Sequence, residues 1–154
     1  MDHSEIAKNN YLMGYSCAQS VLLAFSDVTG LDDRTALKMA SSFGGGMGKL
    51  RENCGALVGM MIVAGIVYGY DDPMDFIDKS EHFARVRDLA LKFKRENGGM
   101  TCRELRGVDE NDQPLPVNYG APFFERRPCA DLCASAARIL ENYIEANDRA
   151  GEFF

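Results

Sequence analysis

The stretch that decides the fold is residues 54–70, CGALVGMMIVAGIVYGY. It contains no charged side chain, so a helix formed here is apolar on every face, which is typical of a buried helix. The stretch is at the short limit for crossing a bilayer and contains several glycines, so we interpret it as a central buried helix and predict no membrane span. Gly55 and Gly59 are four positions apart and share one face, where a second helix can approach closely.

Helical signals continue on both sides of this stretch. Apolar residues recur at helical spacing, and cap residues, glycines and prolines mark the boundaries. No segment shows the alternation of apolar and polar residues that indicates a half-buried strand. We therefore predict one all-α domain over residues 1–154, a bundle of about five to seven helices around the central one. The other predicted helices span residues 4–13, 17–26, 32–42, 76–97, 102–106 and 129–147.

Two segments are predicted to lack a helix. Residues 43–48, FGGGMG, predict a flexible connector. They do not form a phosphate-binding loop, because Phe43 and Leu50 stand where that motif needs Gly and Ser or Thr. Residues 108–128 are rich in Pro, Asn and Asp and predict a long loop. We expect this loop to have a role of its own or to pack through its aromatic residues, Tyr119, Phe123 and Phe124.

The charge balance excludes one class of partner. The chain carries 17 Lys and Arg residues against 23 Asp and Glu residues, a net charge of −6. No basic segment is extensive enough to follow a phosphate backbone, so nucleic acid is not an expected partner. The N-terminal residues, MDHSE, do not form a basic segment followed by an apolar one, so we expect a cytoplasmic protein. In a reducing compartment, five cysteines favour a metal or redox site over a framework of disulfides.

Four of the five cysteines stand where a helix is predicted to begin: Cys17, Cys54, Cys102 and Cys129. The residues before them favour a helix N-terminus: Ser16, Asn53, Thr101 and Pro128. Unpaired N–H groups and a partial positive charge at a helix N-terminus stabilise a thiolate and lower the pKa of a cysteine. We therefore predict that the four sulfurs converge on one site as thiolates, where they act as catalytic residues or as metal ligands.

Two further sets of residues bear on this predicted site. Close approach of a backbone, a partner or a cofactor is expected at four glycines, which makes them candidate cofactor-binding residues: Gly44, Gly45, Gly46 and Gly55. Cys133 lies four positions after Cys129 on the same helix face, and we interpret it as a small core residue, since free cysteine is commonly buried. The chain has no C-x-x-C pair, so a metal site would have to be assembled by the fold.

Three segments together resemble a known family: residues 15–19 (YSCAQ), 43–48 (FGGGMG) and 54–59 (CGALVG). The later Cys102 and Cys129 continue the resemblance, which covers about residues 10–145. The family consists of small redox-active proteins named for a C…GCAxxG…C…C pattern. The resemblance implies redox activity carried by four shared cysteines, which by motif position are those at helix starts, and it makes Cys133 an additional cysteine.

Three functions are open at this point. The first is electron transfer by a cysteine cluster, through thiol–disulfide exchange or an iron–sulfur cluster, with another redox protein as a candidate partner. The second is a non-catalytic protein that binds zinc, an iron–sulfur cluster or another thiolate-bound metal. The third is a helical interaction domain with buried cysteines. Dithiol and cluster chemistry are equally compatible with the sequence, because both require clustered thiolates.

Overall fold

The computed structural model describes residues 1–116 and 126–150. In chain order its helices are α1 (His3–Leu12), α2 (Cys17–Ala24), α3 (Ser26–Thr29), α4 (Asp33–Ala40), α5 (Gly44–Met47), α6 (Gly55–Tyr68), α7 (Phe76–Asn97), α8 (Cys102–Arg106) and α9 (Cys129–Ala150). A 3₁₀ turn at Ser41–Phe43 leads into α5. No strand occurs in the described residues, where β structure is limited to isolated bridges. The predicted all-α class is confirmed.

Helix α6 is the apolar stretch, and its side chains lie in the centre of the core. Leu57, Met60 and Val63 are almost completely buried, and the helix contacts α2, α9 and α7. Each side chain of this kind contributes about 1.5–3 kcal/mol when it is removed from water, so α6 supplies much of the apolar surface on which other helices pack. Within the described residues, no helix has the length and apolar character needed to cross a membrane.

Helices α2 and α6 pack against each other through two glycines. A Cβ atom added at Gly55 would lie 3.1 Å from both the Ala18 nitrogen and the Cys17 Cβ. One added at Gly59 would lie 2.9 Å from the Ala18 carbonyl oxygen. These distances leave no room for a side chain in a close-packed interior. The predicted close approach is confirmed at both glycines, and it sets the start of α2 against the start of α6.

Helix α9 completes the bundle by packing on α1, α2, α6 and α7. Its inward face is apolar and buried through Leu132, Ala136 and Leu140. A buried histidine also ties the N-terminal helix to α9. His3 places its Nδ1 2.7 Å from a carboxylate oxygen of Glu141 and its Nε2 3.0 Å from Asp27, while its ring stacks on Phe25. These contacts hold α1 along the helix that carries Cys129.

The observed helix boundaries differ from the predicted ones in two places that matter for the site. The second predicted helix ends early at Ala24, because the backbone of Phe25 leaves the helical conformation before α3 begins. The glycine segment, predicted as a flexible connector, contains the short turn α5, with positive φ angles at Gly45 and Gly46. Glycine adopts such angles without a steric penalty, which allows this tight turn.

The predicted loop of residues 108–128 is described at its two ends. Residues 108–116 and 126–128 contain no helix, in agreement with the prediction. Asp109 organises the first end, where its carboxylate accepts the N–H groups of Asn111 and Gln113 at 2.8 and 2.9 Å. Residues 117–125, which include the three aromatic residues of the predicted loop, lie outside the described residues.

Replacing Gly59 by alanine is expected to lower the free energy of unfolding by about 1–3 kcal/mol, because the added methyl group forces α2 away from α6. Gly65 lies in the same helix with nothing within 4 Å of an added Cβ, so Gly65→Ala is the matched control. That control should raise stability by up to about 1 kcal/mol, since alanine favours a helix over glycine. Urea unfolding followed by circular dichroism measures both, and equal effects would contradict the packing described for Gly59.

Candidate functional site

One cavity of about 570 Å³ opens where helices α2, α6, α8 and α9 begin. Its wall contains all four cysteines predicted for the site: Cys17, Cys54, Cys102 and Cys129. The wall also contains the four candidate glycines: Gly44, Gly45, Gly46 and Gly55. The structure therefore brings every residue of the predicted site to one place. Their roles in catalysis, cofactor binding or metal binding stay predictions.

Cys17 and Cys129 are the first residues of α2 and α9, and their thiols lie close enough for each to affect the pKa of the other. Both are partly exposed, and both are free thiols. The predicted cap holds the start of α2: Ser16 Oγ accepts the N–H of Gln19, and Gln19 Oε1 accepts the N–H of Ser16. From the end of α1, the Tyr11 hydroxyl lies close enough to the Cys129 thiol to act on its pKa. Two free thiols thus lie near each other at an accessible part of the cavity wall.

Cys54 and Cys102 come together through a short backbone pairing. An antiparallel bridge joins the residues that precede them. The Cys54 N–H donates to the Met100 carbonyl at 2.8 Å, and the Cys102 N–H donates to the Glu52 carbonyl at 2.6 Å. Both side chains follow a bridging residue, so they leave the pairing on the same face. They are 4% and 7% exposed, which makes this second pair of thiols less accessible than the first.

The caps at these two helix starts agree with the prediction in one case and differ in the other. Thr101 caps the start of α8 as predicted, and together with Glu104 it forms a capping box. At the start of α6, Cys54 itself occupies the N-cap position that was predicted for Asn53. The Cys54 sulfur therefore lies directly at the open end of the helix.

The candidate glycines pack the backbone against the elements that carry the cysteines. Gly46 has a φ of 71°, and a Cβ at this position would lie 2.6 Å from the Cβ of Cys102. A Cβ at Gly44 would lie 3.0 Å from that of Ser16, beside the start of α2. Close backbone packing thus explains why glycine occupies these positions. Cofactor binding by these glycines stays a prediction.

A buried arginine that the sequence analysis did not identify adjoins Cys102. Arg51 is 2% exposed, and its Nη1 donates to the Cys102 sulfur at 3.6 Å. Its Nε donates to the Asp109 carbonyl at 3.3 Å, and its Nη2 pairs with the Asp112 carboxylate. These partners lie 51 to 61 positions away along the chain, so no local sequence signal marks the contact. Arg51 thus links the turn that follows α8 to the chain just after the glycine segment.

The prediction that the sulfurs are held as thiolates is wrong for Cys54. Burial raises the pKa of its thiol to about 12, although the backbone N–H groups of Leu57 and Ala56 act to lower it. The nearby Cys129 and Cys102 raise the pKa further. Burial disfavours the charged form of a cysteine, and here it outweighs the favourable field of the helix N-terminus. Cys54 is therefore a neutral thiol at physiological pH.

The same correction applies to Cys17 and Cys129. At Cys17, the contact with the Cys129 thiol acts to lower the pKa, but the contact with Cys133 and burial raise it, and the net direction is upward. At Cys129, the contact with Cys17 and burial raise the pKa, and the Tyr11 hydroxyl and the Arg106 charge offset this only in part. A thiol that neighbours other thiols is harder to ionise, because a second negative charge would be close by.

Cys133 supports the first pair of thiols from the core side. It is completely buried among the core residues, which confirms the interpretation of this cysteine as a core residue. Its sulfur lies 3.8 Å from the carbonyl oxygen of Cys17, one turn of α9 below Cys129. Cys133 therefore packs against the backbone at the start of α2, although it does not line the cavity.

The donor set does not match a resident metal centre in the arrangement observed. Structural zinc and iron–sulfur clusters need three or four ligands directed at one point. Among residues 1–116 and 126–150, no group of three or more Cys, His, Asp or Glu side chains is placed so that it could hold a metal ion. The assignment of the four cysteines as metal ligands thus has no support from the geometry and stays a prediction.

Comparison with known proteins places this four-cysteine arrangement in a family. Residues 15–143 match the family model described as "Putative redox-active protein (C_GCAxxG_C_C)". The chain belongs to this family. The match covers all four cavity cysteines, and it confirms the family resemblance read from the glycine and cysteine segments. No curated protein and no solved structure shows significant similarity to the chain.

The raised pKa of Cys54 predicts that the folded protein loses stability in alkali. The pKa is about 12 when folded and about 8.5 when unfolded. The neutral Cys54 thiol therefore makes its full contribution to the free energy of unfolding below pH 8.5. This contribution is lost as the pH rises toward 12, because Cys54 ionises in the unfolded chain before it ionises in the folded protein.

We expect the free energy of unfolding to fall less steeply between pH 8 and pH 10.5 in Cys54→Ala than in the unchanged protein. Val63→Ala, a buried change in the same helix without a titrating group, should keep the original slope. Urea unfolding at a series of pH values measures all three. Identical slopes for the two variants would show that Cys54 does not titrate in this way.

Proposed function

We propose that this protein is a dithiol redox protein in which Cys17 and Cys129 form the redox couple. The observation that carries the proposal is that two free, partly exposed thiols lie near each other in the wall of one cavity. Membership of a redox-active family supports the same chemistry. A disulfide requires Cα atoms within about 7 Å, and the helices that begin with these two cysteines, α2 and α9, pack against each other.

The reaction is a two-electron exchange with a disulfide or another two-electron oxidant. For a disulfide, the thiolate of one cysteine attacks a sulfur of the oxidant, whose S–S bond breaks and releases one thiolate. The second cysteine then attacks the mixed disulfide, forms the Cys17–Cys129 bond and releases the second thiolate. The two protons of the cysteine thiols pass to the two released thiolates. The reverse sequence, with a reduced dithiol protein as the candidate partner, restores the starting state.

The first attack needs a thiolate. The pKa of Cys129 is raised overall, but a nearby hydroxyl and a nearby cation act in the opposite direction. The Tyr11 hydroxyl and the positive charge of Arg106 both act to lower its pKa. A hydrogen bond donated to a thiolate and a nearby cation each stabilise the charged form. Cys129 is therefore assigned as the attacking residue and Cys17 as the residue that resolves the mixed disulfide.

Cys54 and Cys102 form a second pair in the same wall, with a different proposed role. Both are buried, and Arg51 donates a hydrogen bond to the Cys102 sulfur. The contact with Arg51 holds the Cys102 sulfur in the cavity wall, and we assign this pair to exchange with a disulfide formed at the first pair. The cavity gives the two pairs a common space in which that exchange takes place.

Oxidation of the reduced protein with one equivalent of diamide should produce a Cys17–Cys129 disulfide, found by mass spectrometry of peptides from alkylated protein. Cys17→Ser and Cys129→Ser should each abolish this peptide pair and leave the protein helical. Cys133→Ala removes a thiol that does not line the cavity, so this control should retain the disulfide.

Two results would contradict the dithiol assignment. One is oxidation that leaves Cys17 and Cys129 as free thiols. The other is protein that contains stoichiometric iron and sulfide, or zinc, when it is purified without oxygen, since this would favour the metal-binding function. If the protein is inert to every oxidant and carries no metal, the remaining function is that of a helical interaction domain with buried cysteines.

A further inference from the structure

The charge of the cavity is opposite to that of the whole chain. The chain has a net charge of −6. In the described residues, the Lys, Arg, Asp and Glu side chains that line the cavity comprise three cations and one anion: Lys49, Arg51, Arg106 and Asp112. Asp112 pairs with Arg51, so its charge is already compensated. The cavity therefore has a net positive lining in an otherwise acidic protein.

Lys49 and Arg106 supply this excess charge. In the part of the chain that the structure describes, neither side chain forms an ion pair or a hydrogen bond, whereas Arg51 is engaged by three groups. The Lys49 side chain lies over Gly45 at the cavity wall. Arg106 is close enough to Cys129 to influence its ionisation. Two uncompensated cations at the edge of a cavity attract an anion to it.

The size and openness of the cavity fit a small molecule. Its volume of about 570 Å³ falls within the range of small-ligand sites, about 300–1,000 Å³. Cys17 and Cys129 are the two partly exposed thiols in its wall, while Cys54 and Cys102 are buried. A molecule in the cavity therefore meets the proposed redox couple first.

We propose that the cavity binds a small disulfide that carries negative charge, with Lys49 and Arg106 attracting its anionic groups while Cys129 and Cys17 reduce its S–S bond. This inference rests on the proposed function and names the substrate class of the same site. The substrate accepts two electrons and two protons from the two cysteines and leaves as two thiols. The protein is left with the Cys17–Cys129 disulfide, so electrons, protons and sulfur atoms balance.

Three disulfides of similar size and different charge test this proposal: dithiodiacetate, bis(2-hydroxyethyl) disulfide and cystamine. The reduced protein is mixed with each, and the loss of Cys129 and Cys17 thiols is followed by mass spectrometry. Each rate is divided by the rate for a model thiol, which removes the intrinsic reactivity of the disulfide. We expect the anionic disulfide to react about tenfold faster than the neutral one at low salt, and the cationic one to react slowest. The preference should decrease as salt is added.

Two charge-neutralising variants locate the effect. Arg106→Gln and Lys49→Gln should each lower the ratio of the anionic to the neutral rate by about threefold, the size expected for one charge acting over several ångströms in water. Lys94→Gln makes the same change in net charge on the exposed surface of α7, away from the cavity, and should leave the ratio unchanged. A ratio that is insensitive to both cavity variants, or equally sensitive to Lys94→Gln, would overturn the proposal.

A second measurement separates this inference from the redox function. Iodoacetate and iodoacetamide alkylate thiols without any disulfide step and differ in charge. Relative to a model thiol, Cys129 should favour iodoacetate, and Arg106→Gln should lower the preference. If the neutral disulfide fails to oxidise the pair, the proposed function is wrong, and the alkylation ratio still decides whether the cavity attracts anions. A ratio at or below that of the model thiol would overturn the anionic substrate class even if oxidation proceeds.

Discussion

The contact between α2 and α6 at Gly55 and Gly59 determines where the sulfurs lie. With no side chain at either glycine, the backbone of Ala18 approaches α6 to within contact distance, and Cys17 comes to the start of α6. The residue before the start of α6 is Cys54, so one packing contact determines the positions of two of the four cysteines. A larger residue at Gly55 would separate the start of α2 from that of α6 and open the site at its centre. The redox geometry therefore depends on core packing.

Two opposing effects act on the thiol of Cys54, and their sizes explain why its pKa is raised. A helix N-terminus stabilises a nearby negative charge by about 0.3–1 kcal/mol at exposed positions. Burial can shift a pKa by up to 3–5 units, and each unit corresponds to about 1.4 kcal/mol. Burial therefore prevails at Cys54, whose pKa rises to about 12 despite its position at the N-cap of α6. At Cys129 the neighbouring Cys17 and burial also raise the pKa, and Tyr11 and Arg106 offset this only in part.

The parts of the structure that sequence could predict are those set by local or periodic signals. The uncharged run of α6, the cap residues Ser16 and Thr101, and the glycine spacing of residues 55 and 59 all act within a few positions of the chain. The four cysteines could be assigned to one site because each follows a residue that favours a helix N-terminus. Arg51 could not be predicted, because its contacts with Cys102 and Asp112 span more than 50 positions and depend on the bridge between residues 53 and 101. The pKa direction was missed for the same reason, since burial is a property of the assembled core.

The central claim is that Cys17 and Cys129 exchange two electrons as a pair. Equilibration of the metal-free protein in dithiothreitol buffers of graded potential, followed by quantitative mass spectrometry of each cysteine, tests it most directly. The account predicts that Cys17 and Cys129 lose their thiols together, in one transition whose slope corresponds to two electrons, while Cys133 stays reduced. Oxidation of Cys17 and Cys129 at separate potentials, with different partners, or a slope that corresponds to one electron would contradict it.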